Sequence, residues 1–476
     1  MVKKLVGRSL FFIISITLIC YESTRAQPDI LWTKTFGGSD IDEGWSVQQT
    51  TDGGFIVAGF TRSFGAGDSD VWLIKVDRNG NEDWNNTFGG QNSDVGFSVM
   101  QTMDGGYIIA GHTYSYGAGG SDVWLIKVDE EGNEEWNRTF GESGNDGASE
   151  VQQTADSGYV IVGGSWLYKT HVDGDLQWKQ LIYDANFSVV QTGDGGYIVT
   201  GYRYNELGNT DVRLIKTDEN GNEVWNRTFG GNRNDRGLSV KHTMDGGYII
   251  AGTTESFSAG ESDVWLIKTD ANGNEVWNRV FGGAGYDEGN SVQQTKDGGY
   301  IVAGRTSSFG AGIYDVWLIK VDAEGNEEWN RTIGENTSED GYSVYQAADG
   351  GYIVTGRIGY LSFDKDVFLV RISSDSSVIF VESDKNEIPS EFSLSQNYPN
   401  PFNPSTTIQF SLPRLSYVTL NVYNNLGEEV AVLAGKNFAP GNHKVEWNAN
   451  NFAGGVYFYR LQADQFFETK KLILLK

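Results

Sequence analysis

The chain has 476 residues with 62 glycines and 14 tryptophans, and its formal net charge is −27. This length exceeds what one compact core usually buries, which favours a repeat array with an extra module. The negative charge argues against nucleic acid and anionic lipid as partners, because both need basic residues to replace their counterions. Cations, sugars and proteins remain as classes of partner.

Residues 1–26 are predicted to be a secretion signal. A positively charged start precedes an apolar run from Leu10 to Ile19, which is too short to span a bilayer, and Ala26 supplies a small residue at the cleavage site. The only cysteine, Cys20, lies in this segment, so the mature chain is expected to have no disulfide and no thiolate ligand. No transmembrane segment is expected after signal removal.

After the signal, one unit recurs seven times. Its most regular part is an Asp-Gly-Gly turn followed by an apolar strand, as in the run from Asp52 to Gly59. The turn acids of the successive copies, which we number repeats one to seven, are Asp52, Asp104, Asp156, Asp194, Asp245, Asp297 and Asp349. Repeat three is shorter than the others. A fixed period of this length indicates a repeat architecture in which each unit covers its neighbour's apolar face.

Four strand signals follow one another in each repeat. Between residues 84 and 136 they are Trp84–Phe88, Phe97–Thr102, Tyr107–Gly111 and Val123–Val128. Runs of β-branched and aromatic residues bounded by Gly, Asp and Asn turns are typical of strands. Four strands in about fifty residues are typical of a propeller blade. The sequence therefore predicts an all-β fold: a seven-bladed β-propeller of four-stranded antiparallel blades over residues 27–381, followed by a small C-terminal β-sandwich.

The first strand of the mature chain is predicted to complete the last blade. Leu31–Phe36 is a lone tryptophan strand, whereas no tryptophan strand follows Val367–Ile372 in repeat seven. Pairing these two segments would join the ends of the repeat region and remove a sheet edge. The alternative is that Ser377–Val381 takes the same place. The first assignment makes the Ser-Val-Gln-Gln-Thr strands innermost and the tryptophan strands outermost.

One tryptophan begins the outer strand of every blade. These residues are Trp32, Trp84, Trp136, Trp178, Trp225, Trp277 and Trp329. With the preceding Asp-x-x-Gly turn, such as Asp77–Gly80, they form a hairpin that resembles the tryptophan-docking hairpin of quinoprotein-type propellers, in which the indole wedges between adjacent blades. The resemblance implies a fold and not a function. Quinone-binding enzymes of that family often use a cysteine pair and a metal site, and the mature chain has no cysteine.

The last segment differs in composition, because all prolines but Pro28 lie at or after Pro389. Residues 382–392 are predicted to be a linker. Residues 393–476 are predicted to be the β-sandwich, because short alternating strands and turn signals follow at close intervals. Three motifs stand out: an Asn-Tyr-Pro-Asn-Pro-Phe run, a Gly-Gly-Val-Tyr run and a Lys-Lys pair. Their residues are Asn397, Tyr398, Pro399, Asn400, Pro401, Phe402, Gly454, Gly455, Tyr457, Lys470 and Lys471.

This order of motifs resembles the type A sorting domain of the bacterial type IX (Por) secretion system. The resemblance implies export across the inner membrane by the N-terminal signal, followed by recognition of this domain by the type IX machinery at the outer membrane. In that family the domain is usually cleaved, and the cargo is released or attached to surface lipopolysaccharide. The protein is therefore expected to be secreted or held at the cell surface.

One acid recurs shortly before the inner strand of each repeat and is the candidate binding set. Its members are Asp42, Asp94, Asp146, Asp184, Asp235, Asp287 and Glu339. If the predicted strand order holds, they surround one mouth of the central channel, where propeller ligands usually bind. A carboxylate ring could attract Ca²⁺, which takes oxygen ligands. The alternative is structural, because an Asp before Gly commonly bonds nearby backbone N–H groups and fixes a turn.

No catalytic constellation emerges from the sequence: there is no Gly-x-Ser-x-Gly elbow, and the histidines are scattered. The first hypothesis is therefore a non-enzymatic binding module for a glycan or a protein. The rival is a polysaccharide hydrolase or lyase that uses the irregular repeats. Repeat three lacks a loop near Gly164–Leu167, and repeat four has Tyr202-Arg203-Tyr204 and Arg213. Convergence of unlike polar residues in one pocket would favour the enzyme.

Overall fold

The structure is a computed structural model that describes residues 27–360, 364–374, 392–397, 400–402, 404–414, 416–425, 429–438, 440–449, 452, 454–463 and 466–475, with backbone alone at 184–186, 360, 364, 437, 442, 446 and 448. The predicted signal, most of the linker, residues 377–381, Tyr398 and Pro399 lie outside the described residues. All regular secondary structure in the described part of the chain is β. The chain divides into two compact units, Met1–Ser377 and Val378–Lys476.

The first unit contains the repeats. Its strands are β1 (Ile30–Phe36), β2 (Asp42–Gln49), β3 (Phe55–Thr61), β4 (Asp70–Val76), β5 (Glu82–Phe88), β6 (Asp94–Gln101), β7 (Tyr107–Thr113), β8 (Asp122–Val128), β9 (Glu134–Phe140), β10 (Glu150–Gln153), β11 (Tyr159–Thr170), β12 (Leu176–Gln191), β13 (Tyr197–Tyr204), β14 (Thr210–Thr217), β15 (Glu223–Phe229), β16 (Asp235–His242), β17 (Tyr248–Thr254), β18 (Asp263–Thr269), β19 (Glu275–Phe281), β20 (Asp287–Gln294), β21 (Tyr300–Thr306), β22 (Asp315–Val321), β23 (Glu327–Ile333), β24 (Ser338–Gln346), β25 (Tyr352–Tyr360) and β26 (Asp364–Ile372).

Most of these strands form four-stranded antiparallel sheets of the kind found in propeller blades. The sheets β2-β3-β4-β5, β6-β7-β8-β9, β16-β17-β18-β19 and β20-β21-β22-β23 each follow chain order. In a further sheet, β24-β25-β26 is completed by β1, with Phe36 opposite Val367 and Trp32 opposite Arg371. This is the pairing that the sequence predicts for the N-terminal strand.

Repeats three and four share one six-stranded sheet, β10-β11-β12-β13-β14-β15. The cause is β12, which runs without a break from the outer strand of repeat three into the inner strand of repeat four. In addition, β11 continues through both the second and the third strand positions of repeat three, because only Gly163 to Ser165 replace the longer loop of the other repeats. The shortening of repeat three therefore removes two connections at the same end of the sheets.

Apolar side chains from neighbouring sheets form the core of this unit. All seven residues of β4, Asp70–Val76, are buried, as expected for strands covered on both faces. Ile56 and Leu73 pack against Tyr107 and Trp124 of the next sheet. In the same way, Val47 of the first sheet packs in one cluster with residues of β25 and β26.

The Asp-Gly-Gly turns show why the repeat keeps this sequence. Thr50 Oγ1 and Gly54 N donate hydrogen bonds of 2.5 and 2.9 Å to Asp52 Oδ1, and Lys75 Nζ lies 2.8 Å from Asp52 Oδ2. Gly53 has φ +87°, which favours glycine. Burial alone would raise the pKa of Asp52, but the Lys75 and Thr50 hydrogen bonds lower it below its ordinary value. The ion pair of Asp52 with Lys75 thus links the turn to a buried lysine of the third strand.

The second unit contains β27 (Ser393–Leu394), β28 (Ser405–Leu412), β29 (Ser416–Tyr423), β30 (Glu429–Phe438), β31 (Gly441–Asn448), β32 (Gly455–Ala463) and β33 (Phe466–Leu474). They form the sheets β27-β28-β31 and β30-β29-β32-β33, which enclose one apolar core around Phe410, Trp447 and Tyr459. Described residues of the Asn-Tyr-Pro-Asn-Pro-Phe run lie against this core. Asn397 N donates a hydrogen bond to the Tyr459 hydroxyl at 2.8 Å, and Ile473 N donates one to Asn400 Oδ1 at 2.9 Å.

Candidate functional site

The acids of the candidate binding set lie where the inner strands begin, and most of them are fully buried. Asp42, Asp94, Asp235, Asp287 and Glu339 each have no exposed surface. Asp146 precedes β10 and is half-buried, while only the backbone of residue 184 is described. Burial of this degree separates the carboxylates from solvent at the end of the sheets where these strands start, which we call the loop end.

The carboxylates bond to the loops around them. Asp94 Oδ2 accepts hydrogen bonds from Gly90 N at 2.8 Å and from Ser115 Oγ at 2.6 Å, and Asp94 Oδ1 accepts one from Ser115 N at 3.3 Å. Asp42 and Asp287 repeat the two contacts to Oδ2 in their own repeats. Each of these three acids therefore joins the loop before its inner strand to the loop after the second strand. These contacts fit the structural alternative.

A second buried acid lies close to each of several members of this set. A Cβ built on Gly89 would lie 1.8 Å from Asp70 Oδ1 and 2.9 Å from Asp94 Oδ2, so the two carboxylates flank the glycine closely. In repeat seven, burial raises the pKa of Glu339 to about 7, with a further contribution from Asp315. Across the part of the chain that the structure describes, no group of three or more His, Cys, Asp or Glu side chains is placed to hold a metal ion.

The inner strands surround a cavity of about 880 Å³, which we call the central cavity. Its wall near the loop end includes the residue three positions after each acid. These residues are Trp45, Phe97, Ser149, Phe187, Leu238, Asn290 and Tyr342. The acids are alike in every repeat, but the residues at this position differ in size and chemistry. The cavity therefore has an asymmetric wall inside a regular frame.

Charged residues from repeats six, seven and one form a network at this wall. Arg357 bonds to Asp340 Oδ2 at 2.5 Å and to Glu43 Oε1 at 2.7 Å. Arg305 lies 2.8 Å from Glu288 and 3.3 Å from Asp340. Burial alone would lower the pKa of Arg305, but Glu288 and Asp340 raise it overall. The network thus holds its arginines charged and presents both donors and acceptors at the cavity.

A row of aromatic rings continues from this network. Tyr342 and Trp45 stack at 4.1 Å with 4° between their planes. Phe97 lies 5.3 Å from Trp45, His112 lies 5.4 Å from Phe97, and Tyr114 lies 5.6 Å from His112. Burial lowers the pKa of His112, which favours its neutral form. We call Phe97, His112 and Tyr114 the first ring row.

Repeat four carries a matching set at the same offsets. Phe187 lies 5.7 Å from Tyr202, and Tyr202 lies 5.9 Å from Tyr204. The Arg236 guanidinium lies 5.2 Å from the Tyr202 ring centroid. We call Phe187, Tyr202 and Tyr204 the second ring row. The two ring rows belong to the repeats on either side of repeat three.

Sequence reasoning identified only part of this site. Tyr202 and Tyr204 belong to it, but Arg213 is buried and bonds to Ile182 O at 3.0 Å and Glu223 at 3.1 Å. Trp45, Tyr342 and the arginine network were missed. The signal was present in the repeats, since these residues are unlike their counterparts at otherwise regular positions. In the glycine-rich loop Phe64-Gly65-Ala66-Gly67 of repeat one, the Phe64 ring packs on Trp72 at 5.5 Å and so anchors the loop.

The second unit matches a known protein family. The model of the family described as the secretion system C-terminal sorting domain covers residues 396–475. Residues 396–475 are a secretion-system C-terminal sorting domain. The protein is therefore directed through the type IX secretion machinery to the cell surface or the extracellular space. The described residues include no helix that is long and apolar enough to cross a membrane.

Similarity to individual proteins is weaker. The regulatory protein FlaEY of Caulobacter vibrioides is 28% identical over 140 residues, which are 25% of this chain and 15% of that protein, so the chain spans a small part of the relative's length. A Dyadobacter fermentans protein of unknown function matches 73% of this chain and 100% of its own, at 11% identity and TM-score 0.45. PorZ of Porphyromonas gingivalis matches 93% of this chain and 75% of its own, at 9% identity and TM-score 0.34.

Proposed function

We propose that the repeats form a closed seven-bladed β-propeller that acts, after type IX secretion, as a non-enzymatic module binding a glycan at the loop end of the central cavity. The observation that carries this proposal is the convergence of unlike residues, from repeats six, seven, one and two, on one end of one cavity. Repetition alone would have made these positions alike. Their divergence inside a regular frame is what an asymmetric ligand requires.

Hydrogen bonds between neighbouring repeats support closure. Thr51 N donates to Gln101 Oε1 of the next repeat at 2.9 Å, and the same contact recurs from Ala348 N of repeat seven to Gln49 Oε1 of repeat one at 2.7 Å. The six-stranded sheet supplies two blades, because β12 serves as the outer strand of one repeat and the inner strand of the next. Seven repeats with a contact from the last to the first favour a ring.

The chemistry of the wall favours a glycan. Aromatic rings can cover the apolar faces of a sugar, and the hydroxyls of a sugar need donors and acceptors together. The stacked Tyr342 and Trp45 rings supply an aromatic surface for the apolar faces of a sugar. The network around Arg357 supplies donors and acceptors for its hydroxyls. A net charge of −27 disfavours anionic ligands, whereas a neutral glycan meets no such repulsion.

A polysaccharide hydrolase or lyase is the second candidate, because the convergence includes the carboxylates of Glu43 and Asp340. Both are almost fully buried, at 5% and 0% exposure, and both bond to Arg357. Carboxylates engaged in this way hold a wall in place and are not presented to a substrate, which favours binding over catalysis.

Glycan-array binding by the secreted protein tests both candidates. We expect neutral glycans to bind in the presence or absence of EDTA, and Trp45→Ala to weaken binding at least about ten-fold through loss of the ring platform. Tyr286→Ala removes an exposed ring elsewhere at the loop end and serves as the matched control. An array without any hit would overturn the binding proposal, and new reducing ends or unsaturated products in the bound glycan would establish the enzyme.

A further inference from the structure

The loop end is open on one side, over repeat three. In repeat one the loop from Arg62 to Ser69 connects the second and third strands, and residues 89–93 connect the outer strand to the next inner strand. In repeat three, a glycine turn replaces the loop between the second and third strands. The unbroken β12 replaces the connection from the outer strand to the next inner strand. A Cβ built on Gly164 would meet nothing within 4 Å, which places open space above this turn.

A tryptophan at this opening has lost its cover. Trp72, Trp124, Trp265 and Trp317 occupy one position of the third strand, and each is only 3% exposed beneath an aromatic loop residue. Trp166 is their counterpart in repeat three. It is only partly buried, and the Lys179 ammonium lies 4.6 Å from its ring centroid. The missing loop therefore leaves Trp166 less covered than its four counterparts, with the Lys179 side chain in place of a loop ring.

The two ring rows border this opening. The first row ends at Tyr114, which is 45% exposed, and the second row ends at Tyr204, which is 64% exposed. Between them the positions that carry large side chains in other repeats hold Gly147, Ser149 and Gly164. Among the seven repeats, only two and four have aromatic residues at all three positions of a row. Small residues thus lie between two aromatic borders that lead outward from the central cavity.

We propose that this side groove, from Trp45 past Tyr114 and Tyr204 to Trp166, holds a linear neutral polysaccharide whose end lies in the central cavity. The inference rests on the proposed glycan function and adds the shape and length of the ligand. An opening on one side suits a chain that continues beyond the cavity, whereas a closed rim would suit a short fragment.

A polysaccharide fits this groove better than a peptide. An extended peptide gains affinity by pairing with an unpaired strand edge. At the groove, β11 and β12 are internal strands of the six-stranded sheet, with Gly164 opposite Asn186 and Trp166 opposite Leu181, so neither is an edge strand. Aromatic borders above a paired sheet leave side-chain surface as the main contact, and sugar rings can use that surface without main-chain partners.

The test compares chain lengths. Affinities of the secreted protein for soluble xylan, mannan and β-1,3-glucan, and for their disaccharides and octasaccharides, are measured by calorimetry. We expect one of these glycans to bind, with the octasaccharide binding at least about ten-fold more tightly than the disaccharide. Tyr114→Ala combined with Tyr204→Ala should remove this advantage, so that the variant binds the octasaccharide within about two-fold of its own affinity for the disaccharide. Both side chains are exposed, so the fold is retained, and Tyr286→Ala is the matched control.

A second variant restores the missing wall. Residues 62–69 of repeat one are inserted between Gly164 and Ser165, and the circular dichroism and unfolding midpoint are compared with wild type. The insertion should block the octasaccharide advantage while the disaccharide still binds. The side-groove proposal is wrong if the octasaccharide binds no more tightly than the disaccharide and if neither the double substitution nor a folded insertion variant changes the affinity. If Trp45→Ala still abolishes binding in that case, the proposed site in the central cavity is retained. Absence of glycan binding overturns both, as does preferential binding of a proline-rich peptide.

Discussion

Two sets of residues lie three positions apart on the same inner strands, and their contrast separates frame from site. The acids near the start of these strands are chemically alike, and five of them are fully buried; Asp94, for example, bonds to loop backbone and a serine hydroxyl. The residues three positions further along vary from serine to tryptophan and line the central cavity. In a repeat protein, uniformity at a position reflects a contact that every unit needs. Variation at a lining position reflects a partner that lacks the symmetry of the frame.

The largest effect is expected from breaking the frame as a whole. Removal of residues 27–36 from the mature chain takes away β1 and leaves β26 with an unpaired edge. Because Trp32 and Phe36 also lose their packing, we expect a loss of at least about 4 kcal/mol in the free energy of unfolding, measured in urea. Removal of residues 393–476 is the control and should leave the repeat transition in place. Equal midpoints for wild type and the N-terminal truncation would contradict closure through β1.

Asp94→Ala tests the frame at one acid. Loss of the carboxylate leaves Gly90 N and the Ser115 donors without their buried acceptor, so we expect about 2–4 kcal/mol of destabilisation in urea unfolding. Glu130→Ala, at an exposed residue, should change stability by less than about 0.5 kcal/mol. A wild-type midpoint that rises with Ca²⁺, and a variant that has lost this response, would instead support the acids as cation ligands.

The pH dependence of stability sharpens the contrast within the acid set. The pKa of Glu339 in the folded state is about 7, above its ordinary value of 4.5, so the folded protein holds this proton more tightly than the unfolded chain. Stability from this group is complete below about pH 4.5 and is lost as pH rises through 7. Glu339→Gln should therefore stabilise the protein by about 1–2 kcal/mol at pH 8 and hardly at pH 5.

Thermal unfolding at the two pH values measures this difference, with Glu324→Gln, at an exposed turn residue, as the control. A Glu339→Gln variant that is less stable than wild type at pH 8 would show that the ionised carboxylate is required there, as a cation ligand would be.

The smallest effect concerns the loop rings. Phe64→Ala uncovers Trp72 as the missing loop uncovers Trp166, and should cost roughly 0.5–1 kcal/mol. Quenching of tryptophan fluorescence by acrylamide should increase in this variant. Tyr286→Ala, which removes an exposed ring of another loop, should leave quenching unchanged. Unchanged quenching in Phe64→Ala would show that the loop backbone, and not its ring, shields the tryptophan.

Much of the local structure follows from the sequence, because its causes are local. The Asp-Gly-Gly turns need a glycine at positive φ and an acid that accepts a hydrogen bond from a following backbone N–H. Both residues can be read from the sequence around Asp52. The pairing of β1 with β26 was also predictable, because repeat seven lacks an outer strand and the N-terminal segment contains one strand that belongs to no complete repeat. The sorting domain was recognisable from the order of its motifs.

The candidate site was harder to predict, because it depends on contacts between repeats. Arg357 meets Glu43 of the first repeat although 314 positions separate them in sequence. The predicted acids lie near the start of the inner strands, and Asp42, Asp94, Asp235, Asp287 and Glu339 are fully buried there. Repeat three was identified as irregular, yet the sequence did not show that both of its missing connections lie at one end, between two ring rows.

The sequence by itself determined the strands, the turns, the number of repeats and the route of export, because each depends on residues close together in the chain. Tertiary structure decided which side chains face the central cavity, which acids are buried and where the loop end is open. Those properties depend on how one repeat packs on the next, and that packing brings together positions which the repeat pattern alone treats as equivalent.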